Sequence, residues 1–236
     1  MNRRQFLSSF VVVPAIATGV LGCRRKLRPE LLRIEDYEDR KGGWRPIRVA
    51  CVGDSITFGA GVEDREKFCY PAQLAELLGN RFEVRNFGRS GATMSATGDL
   101  PYVSTDEFKN ANAWQPDVIL LMLGTNDTKP QNWKGPKAFE QSTKDLVAAF
   151  RDLKSKPKIW LCLPVPIYGD QWGINAQVLE DGIIPVLMEV TNSKKIPVID
   201  LNDALTGHPE LFPDKIHPDG NGAALMARTI FQAFRP

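Results

Sequence analysis

The stretch Ile47-Arg-Val-Ala-Cys-Val-Gly-Asp-Ser-Ile-Thr57 decides the architecture of this chain. Its first half is an apolar run broken only by Arg48, the pattern of a strand covered on both faces of a parallel sheet. Its second half turns polar at Gly53, Asp54 and Ser55. In open parallel sheets, ligands gather just beyond the carboxyl ends of the strands. Ser55 stands in that position.

Outward from this stretch, strand-like and helix-like segments alternate. Strands are predicted at 47–52, 82–86, 118–123, 159–163 and 198–201, and helices at 70–78, 136–153, within 176–193 and at 220–234. The run Val-Ile-Leu-Leu-Met-Leu at 118–123 is apolar throughout. Ala72, Leu74, Ala75, Leu77 and Leu78 give the first helix its apolar positions, and Gly79 ends it. The alternation signals βαβ units joined by right-handed crossovers. The expected fold is α/β: a three-layer α/β/α sandwich around a flavodoxin-like, five-stranded parallel sheet. No internal repeat or low-complexity tract interrupts it.

The 236 residues fit one domain, 47–236, behind an N-terminal extension. A hydrophobic share of 43% supports a sizeable core. The net charge of +2 gives no argument for nucleic acid, and part of it comes from Arg3, Arg4, Arg24, Arg25, Lys26 and Arg28. Residues 1–23 read as an export signal. Asn2-Arg-Arg-Gln-Phe-Leu7 resembles a twin-arginine motif, and the uncharged stretch from Ser8 to Gly22 is shorter than the ~20 apolar residues of a membrane span. Val20-Leu-Gly-Cys23 resembles a bacterial lipobox, which implies lipidation of Cys23 and membrane attachment; simple cleavage is the alternative. Either route implies a periplasmic or cell-surface location. Residues 24–46 are charged and broken by Pro29, Gly42, Gly43 and Pro46, so they read as an arm, with Leu27, Leu31, Leu32 and Ile34 available to dock it. Of the remaining cysteines, Cys51 and Cys162 fall in strands, where a thiol behaves as a small core hydrophobe. No CxxC motif or Cys/His cluster suggests a disulfide framework or a metal.

The chain has only two histidines, His208 and His217, which narrows the search for a general base. A serine alkoxide is inaccessible at neutral pH without a base, and a histidine oriented by a carboxylate supplies one. Asp214 and His217, three residues apart, provide that pair. Four blocks then stand in order: Gly53-Asp-Ser-Ile-Thr57, Asn86-Phe-Gly-Arg-Ser-Gly91, Gly124-Thr-Asn-Asp127 and Asp214-Lys-Ile-His217. Together they resemble the signature blocks of the SGNH hydrolases, also called the GDSL lipase/esterase family, over about residues 47–235. The resemblance implies Ser55 as nucleophile, His217 as general base and Asp214 as its orienting carboxylate. It implies three oxyanion-hole donors: the backbone N–H groups of Ser55 and Gly88 and the side-chain amide of Asn126. It implies ester hydrolysis through an acyl-enzyme, with no cofactor and no metal.

Other roles remain open for single residues. Ser55 is also a natural helix cap, and Asn126 a natural turn residue. Asp54 and Asp127 are expected to hold their loops by hydrogen bonds, and His208 to be a loop residue. No GxGxxG or P-loop pattern follows the first strand, which argues against nucleotide binding. Phe58, Trp133, Tyr168 and Trp172 fall in predicted loops that border the site, where aromatic faces stack on sugar rings. The stretch 124–133 is similar to bacterial members of the family described as acetylesterases. The reading is an exported serine esterase acting on a small-molecule or glycan ester, deacetylating a carbohydrate. The alternatives are a lysophospholipase or thioesterase acting on lipid, and a noncatalytic glycan-binding module.

Overall fold

The computed structural model describes residues 31–32, 34–37 and 45–234. The export signal and Cys23 lie outside the described residues. Five strands, β1 (Ile47–Gly53), β2 (Phe82–Gly88), β3 (Val118–Met122), β4 (Lys158–Leu163) and β5 (Val198–Asp200), form one sheet in the order β2-β1-β3-β4-β5. Every neighbouring pair is parallel. This is the flavodoxin-type order, with its reversal between β1 and β3.

Helices cover both faces, and the period-two alternation of each strand decides which face a residue serves. Ala50, Val52, Ile119, Leu121 and Leu161 point to one layer. They meet α4 (Asp106–Trp114), α5 (Pro136–Arg151) and α7 (Ile184–Lys194) through Ala111, Phe150 and Leu187. Val49, Cys51, Leu120, Trp160 and Cys162 point the other way. They meet α1 (Ser55–Phe58), α3 (Tyr70–Leu78), α8 (Leu201–Leu205) and α9 (Gly220–Phe231) through Ile56, Leu74, Leu205 and Met226. The short α2 (Arg65–Phe68) links α1 to α3, and α6 (Ala176–Val178) precedes α7. Cys51, Cys69 and Cys162 are buried free thiols.

The short helices α1, α2 and α8 were not among the expected elements, and two longer ones also differ. β2 runs two residues further, to Gly88, because it pairs with β1 along its whole length. Helix α4 was not expected: its only fully buried residue is Ala111, so its apolar stripe is faint, and Thr105 caps it by accepting from the Phe108 N–H. The helix expected within 176–193 is α7, preceded by α6 and a wide π turn over Leu179–Ile183. Pro185, in the first turn of α7, has no N–H to continue the ladder from the turn before it. Part of the arm docks as expected. Leu32 is 1% exposed within the second core layer, and its N–H donates to the Ala233 carbonyl at 2.9 Å.

Candidate active site

Strand register levels the ends of the three central strands. Gly53 of β1 lies opposite Gly88 of β2 and Met122 of β3, so the polar blocks that follow all emerge at one edge of the sheet, beside the topological switch point. Directly after β1, Asp54 caps α1: its Oδ1 accepts the Ile56 N–H at 2.9 Å. Capping thus falls to Asp54, and Ser55, the first residue of the helix, keeps its hydroxyl partly exposed.

The other end of the chain brings the histidine. Phe212 and Ile216, 0% and 1% exposed, pin the tail turn to the core, while Lys215 between the functional residues takes φ +71. Asp214 Oδ1 accepts the backbone N–H groups of Ile216 at 2.9 Å and His217 at 2.7 Å. Its Oδ2 lies 2.7 Å from His217 Nδ1, and His217 Nε2 lies 2.8 Å from Ser55 Oγ. Partial burial works to raise the Asp214 pKa, but the hydrogen bonds from the His217 backbone, the His217 ring and the Ile216 N–H outweigh it and hold the carboxyl below its ordinary value. An ionised Asp214 can only accept, so Nδ1 carries the proton and Nε2 presents its lone pair to the serine hydroxyl. That is the tautomer a base needs.

Asn126 opens a short 3-10 turn, Asn126–Thr128, just past β3. It is 4% exposed, and one hydrogen of its amide is committed to the Ala92 carbonyl at 3.1 Å. Its own carbonyl accepts from Asn132 Nδ2 at 2.9 Å. Asp127, fully buried, clamps the facing loop by accepting the N–H groups of Met94 at 2.8 Å and Ser95 at 2.7 Å. Burial raises its carboxyl to about 7 against those bonds, and the nearby Asp54 adds to the rise. Burial likewise raises Asp54 to about 6, opposed by the Ile56 N–H and by the positive charge His217 carries when protonated. Both aspartates hold loops, as expected from the sequence.

Gly88 requires a correction. The resemblance implies its N–H as an oxyanion donor, yet that N–H donates to Asn86 Oδ1 at 2.9 Å, while Asn86 Nδ2 donates to the Thr57 carbonyl at 2.8 Å. Gly88 is needed for a different reason: a Cβ there would lie 2.2 Å from the Phe58 nitrogen, so only glycine lets β2 pass so close to α1. The second glycine of the same block, Gly91, sits in a left-handed turn at φ +84, directly before the Ala92 whose carbonyl holds Asn126. The Gly91 N–H makes no hydrogen bond among the described residues. The signal was in the sequence, because an asparagine two residues before a glycine is a ready local acceptor for its N–H.

The four aromatics separate. Trp172, 61% exposed, places its ring centroid 5.5 Å from that of His217. Phe58 ends α1 beneath the Arg65 guanidinium, which lies 4.2 Å from its ring centroid. Tyr168 is pinned by its hydroxyl to the Leu205 carbonyl at 2.8 Å, and Trp133 packs against Phe139 and Gly182. His208 is an exposed loop residue, with Nδ1 3.0 Å from Glu210 Oε1.

A parallel sheet in this order, with serine, histidine and aspartate hydrogen-bonded in series at its carboxyl edge, defines a three-layer α/β protein of the SGNH hydrolase class. The chain belongs to the GDSL-like Lipase/Acylhydrolase family, which it matches over residues 51–225. It is 41% identical over 207 residues to an acetylxylan esterase of Xylanibacter ruminicola, covering 80% of this chain and 43% of that protein. The chain therefore spans less than half the length of that relative. Similar solved structures include the aryl esterase of M. smegmatis (TM-score 0.64, 21% identity, 79% of this chain and 99% of that one). Est24, a carbohydrate acetylesterase from Sinorhizobium meliloti, is equally similar in fold (TM-score 0.64, 18% identity, 78% and 96%). Axe2, an acetylxylan esterase from Geobacillus stearothermophilus, follows (TM-score 0.62, 20% identity, 79% and 93%).

Proposed function

We propose that this protein is a serine esterase that removes acetyl groups from a glycan of the xylan type, through an acyl-enzyme on Ser55. The observation that carries the proposal is the series Ser55 Oγ, His217 Nε2, His217 Nδ1 and Asp214 Oδ2, with its two contacts of 2.8 and 2.7 Å. The 41% identity to an acetylxylan esterase supports the substrate class.

In this reading His217 Nε2 takes the hydroxyl proton as Ser55 Oγ bonds to the ester carbonyl carbon. The carbonyl π pair moves to oxygen, whose charge is met by the second amide hydrogen of Asn126 and the N–H groups of Ser55 and Gly91. The imidazolium, stabilised by Asp214, returns its proton to the departing sugar hydroxyl as the C–O bond breaks. Water then repeats the sequence on the acyl-enzyme, releasing acetate and restoring the serine. Every proton and electron pair in the cycle is carried by these side chains, the substrate and water.

The expected result is acetate release from acetylated xylan by the wild type, abolished in Ser55→Ala. On aryl esters of increasing chain length, activity should be greatest for acetyl. A maximum at an acyl chain of eight carbons or more, with no release from acetylated xylan, contradicts the glycan reading. The N-terminal sequence supports export to the periplasm or cell surface with acylation at Cys23. Cell fractionation tests this: Cys23→Ala should move the protein from the membrane to the soluble fraction, and an unchanged distribution argues against the lipid anchor.

A further inference from the structure

After β4 the chain runs through residues 164–175 and folds back along the turn that bears Asp214 and His217. The Tyr168 N–H donates to the Lys215 carbonyl at 2.9 Å, which ties the two segments together. The Tyr168 hydroxyl accepts the His208 N–H at 3.1 Å while donating to Leu205, so its ring is a fixed wall. Between this loop and α6 opens a groove of about 640 Å³, lined by apolar Ile167 and Ile174 and by polar Asp170, Asn175 and Gln177. That volume falls within the ~300–1,000 Å³ usual for small-ligand sites.

The loop that walls the groove also carries Trp172. At 61% exposed, Trp172 is the most exposed large apolar side chain among the described residues, and it sits at φ +57, a backbone region that bulky residues avoid. Its indole N–H has no partner among the described residues, and its ring leans over His217 at 48°. Core packing explains neither the exposure nor the backbone. Strain of this kind concentrates where a ligand is held. A pyranose suits the site, because it offers a C–H face to an aromatic ring and a rim of hydroxyls to carboxylate and amide groups.

We propose that Trp172 and this groove form an accessory subsite for the glycosyl unit next to the one whose ester lies at Ser55. The proposal rests on the esterase reading above. Trp172 is a substrate-positioning residue: it stacks on the neighbouring sugar, and the Asp170 carboxylate, Asn175 Nδ2 and Gln177 Oε1 bond that sugar's hydroxyls. Asn175 Oδ1 is held by the Val178 N–H, and Gln177 Nε2 by Asp181. Binding of the neighbour orients the ester at Ser55, so acetylated oligosaccharides are better substrates than acetylated monosaccharides.

Two measurements test the subsite. In steady-state kinetics, Trp172→Ala should raise KM for acetylated xylotetraose about tenfold with kcat changed less than about threefold, and Trp172→Phe should restore most of the loss. The preference for acetylated xylotetraose over acetylated xylose should fall in Trp172→Ala and in Gln177→Trp, which fills the groove from an exposed position. Unacetylated xylotetraose should quench tryptophan fluorescence in Ser55→Ala and fail to do so once Trp172 is also replaced. An unchanged preference in both groove variants, or xylotetraose binding unaffected by loss of Trp172, overturns the subsite. Hydrolysis of ethyl acetate without release from any acetylated glycan overturns the substrate reading instead, and xylotetraose binding still decides the subsite.

Discussion

Two regions supply the polar groups at the carboxyl edge of the sheet, and they are held in opposite ways. The tail turn, residues 212–218, is nearly self-contained: Asp214 bonds Ile216 and His217, two and three residues away. The cluster past β3 is held over long sequence distances, with Asp127 gripping Met94 and Ser95, and Asn126 bonded to Ala92. Their electrostatics diverge too. Burial of Asp214 is partial and hydrogen bonds keep its carboxyl below the ordinary value, whereas full burial lifts Asp54 to about 6 and Asp127 to about 7. The tail keeps a charge ready to stabilise an imidazolium. The cluster is a rigid scaffold whose carboxyls resist ionisation.

The largest expected effect falls on the tail. Asp214→Ala removes the group that fixes the histidine tautomer and should lower kcat roughly 10³–10⁴-fold with little change in KM, measured on an aryl acetate. Because the turn is local, the thermal midpoint should move little; a large drop would mean that the turn also supports the fold. In the cluster, Asn126→Ala deletes the amide proposed to meet the developing oxyanion and should cost about 3–4 kcal/mol in kcat/KM. Rates within threefold of wild type would remove Asn126 from the site.

The two glycines of the second block sharpen the contrast. Gly88→Ala forces a methyl to within 2.2 Å of the Phe58 nitrogen and should destabilise the fold by about 3 kcal/mol or more in urea unfolding. Gly91→Ala meets only Leu100 Cδ2 at 3.7 Å, but at φ +84 its Cβ strains the turn by roughly 1–2 kcal/mol, less than at Gly88, and its main effect should appear in kcat through the displaced N–H. The reverse pattern would return the donor role to Gly88.

The pH dependence of stability separates the same two regions. Asp54 and Asp127 bind protons more tightly folded than at their ordinary value of 3.8. Their stabilisation is full below about pH 4 and is lost as pH rises through about 6 and 7, on the order of 3 kcal/mol for Asp54 and about 4 kcal/mol for Asp127. Asp214 works in the opposite sense: its contribution is present above its ordinary value and is lost as acid takes the pH through its lowered one. Unfolding free energy measured from pH 4 to 8 should therefore decline, and Asp54→Asn should flatten the decline. A wild-type profile that rises over that window contradicts the buried-acid account.

The same contrast explains what the sequence made legible. The Asp214-to-His217 spacing was readable because the contacts that matter are local, and the core strands because apolar runs such as 118–123 fill a buried sheet. Gly88 was given a role that the folded chain denies it. Its N–H is taken by Asn86, and the unoccupied N–H belongs to Gly91, whose position relative to Asn126 depends on a contact 34 residues long in sequence. Helix α4 is not legible in the sequence because only Ala111 of its nine residues is fully buried, leaving almost no periodic signal. Trp172, by contrast, reads from the sequence only as a loop aromatic; its place over His217, in a loop tied to Lys215 through Tyr168, is encoded by no local pattern.

Reactivity of the serine itself is the most direct measurement. Intact-mass analysis after treatment with a fluorophosphonate, followed by peptide mapping, should find a single adduct on the peptide containing Ser55. That adduct should be absent in Ser55→Ala and slowed by orders of magnitude in His217→Ala. A folded wild-type protein that takes no label, or takes it on another residue, contradicts the account.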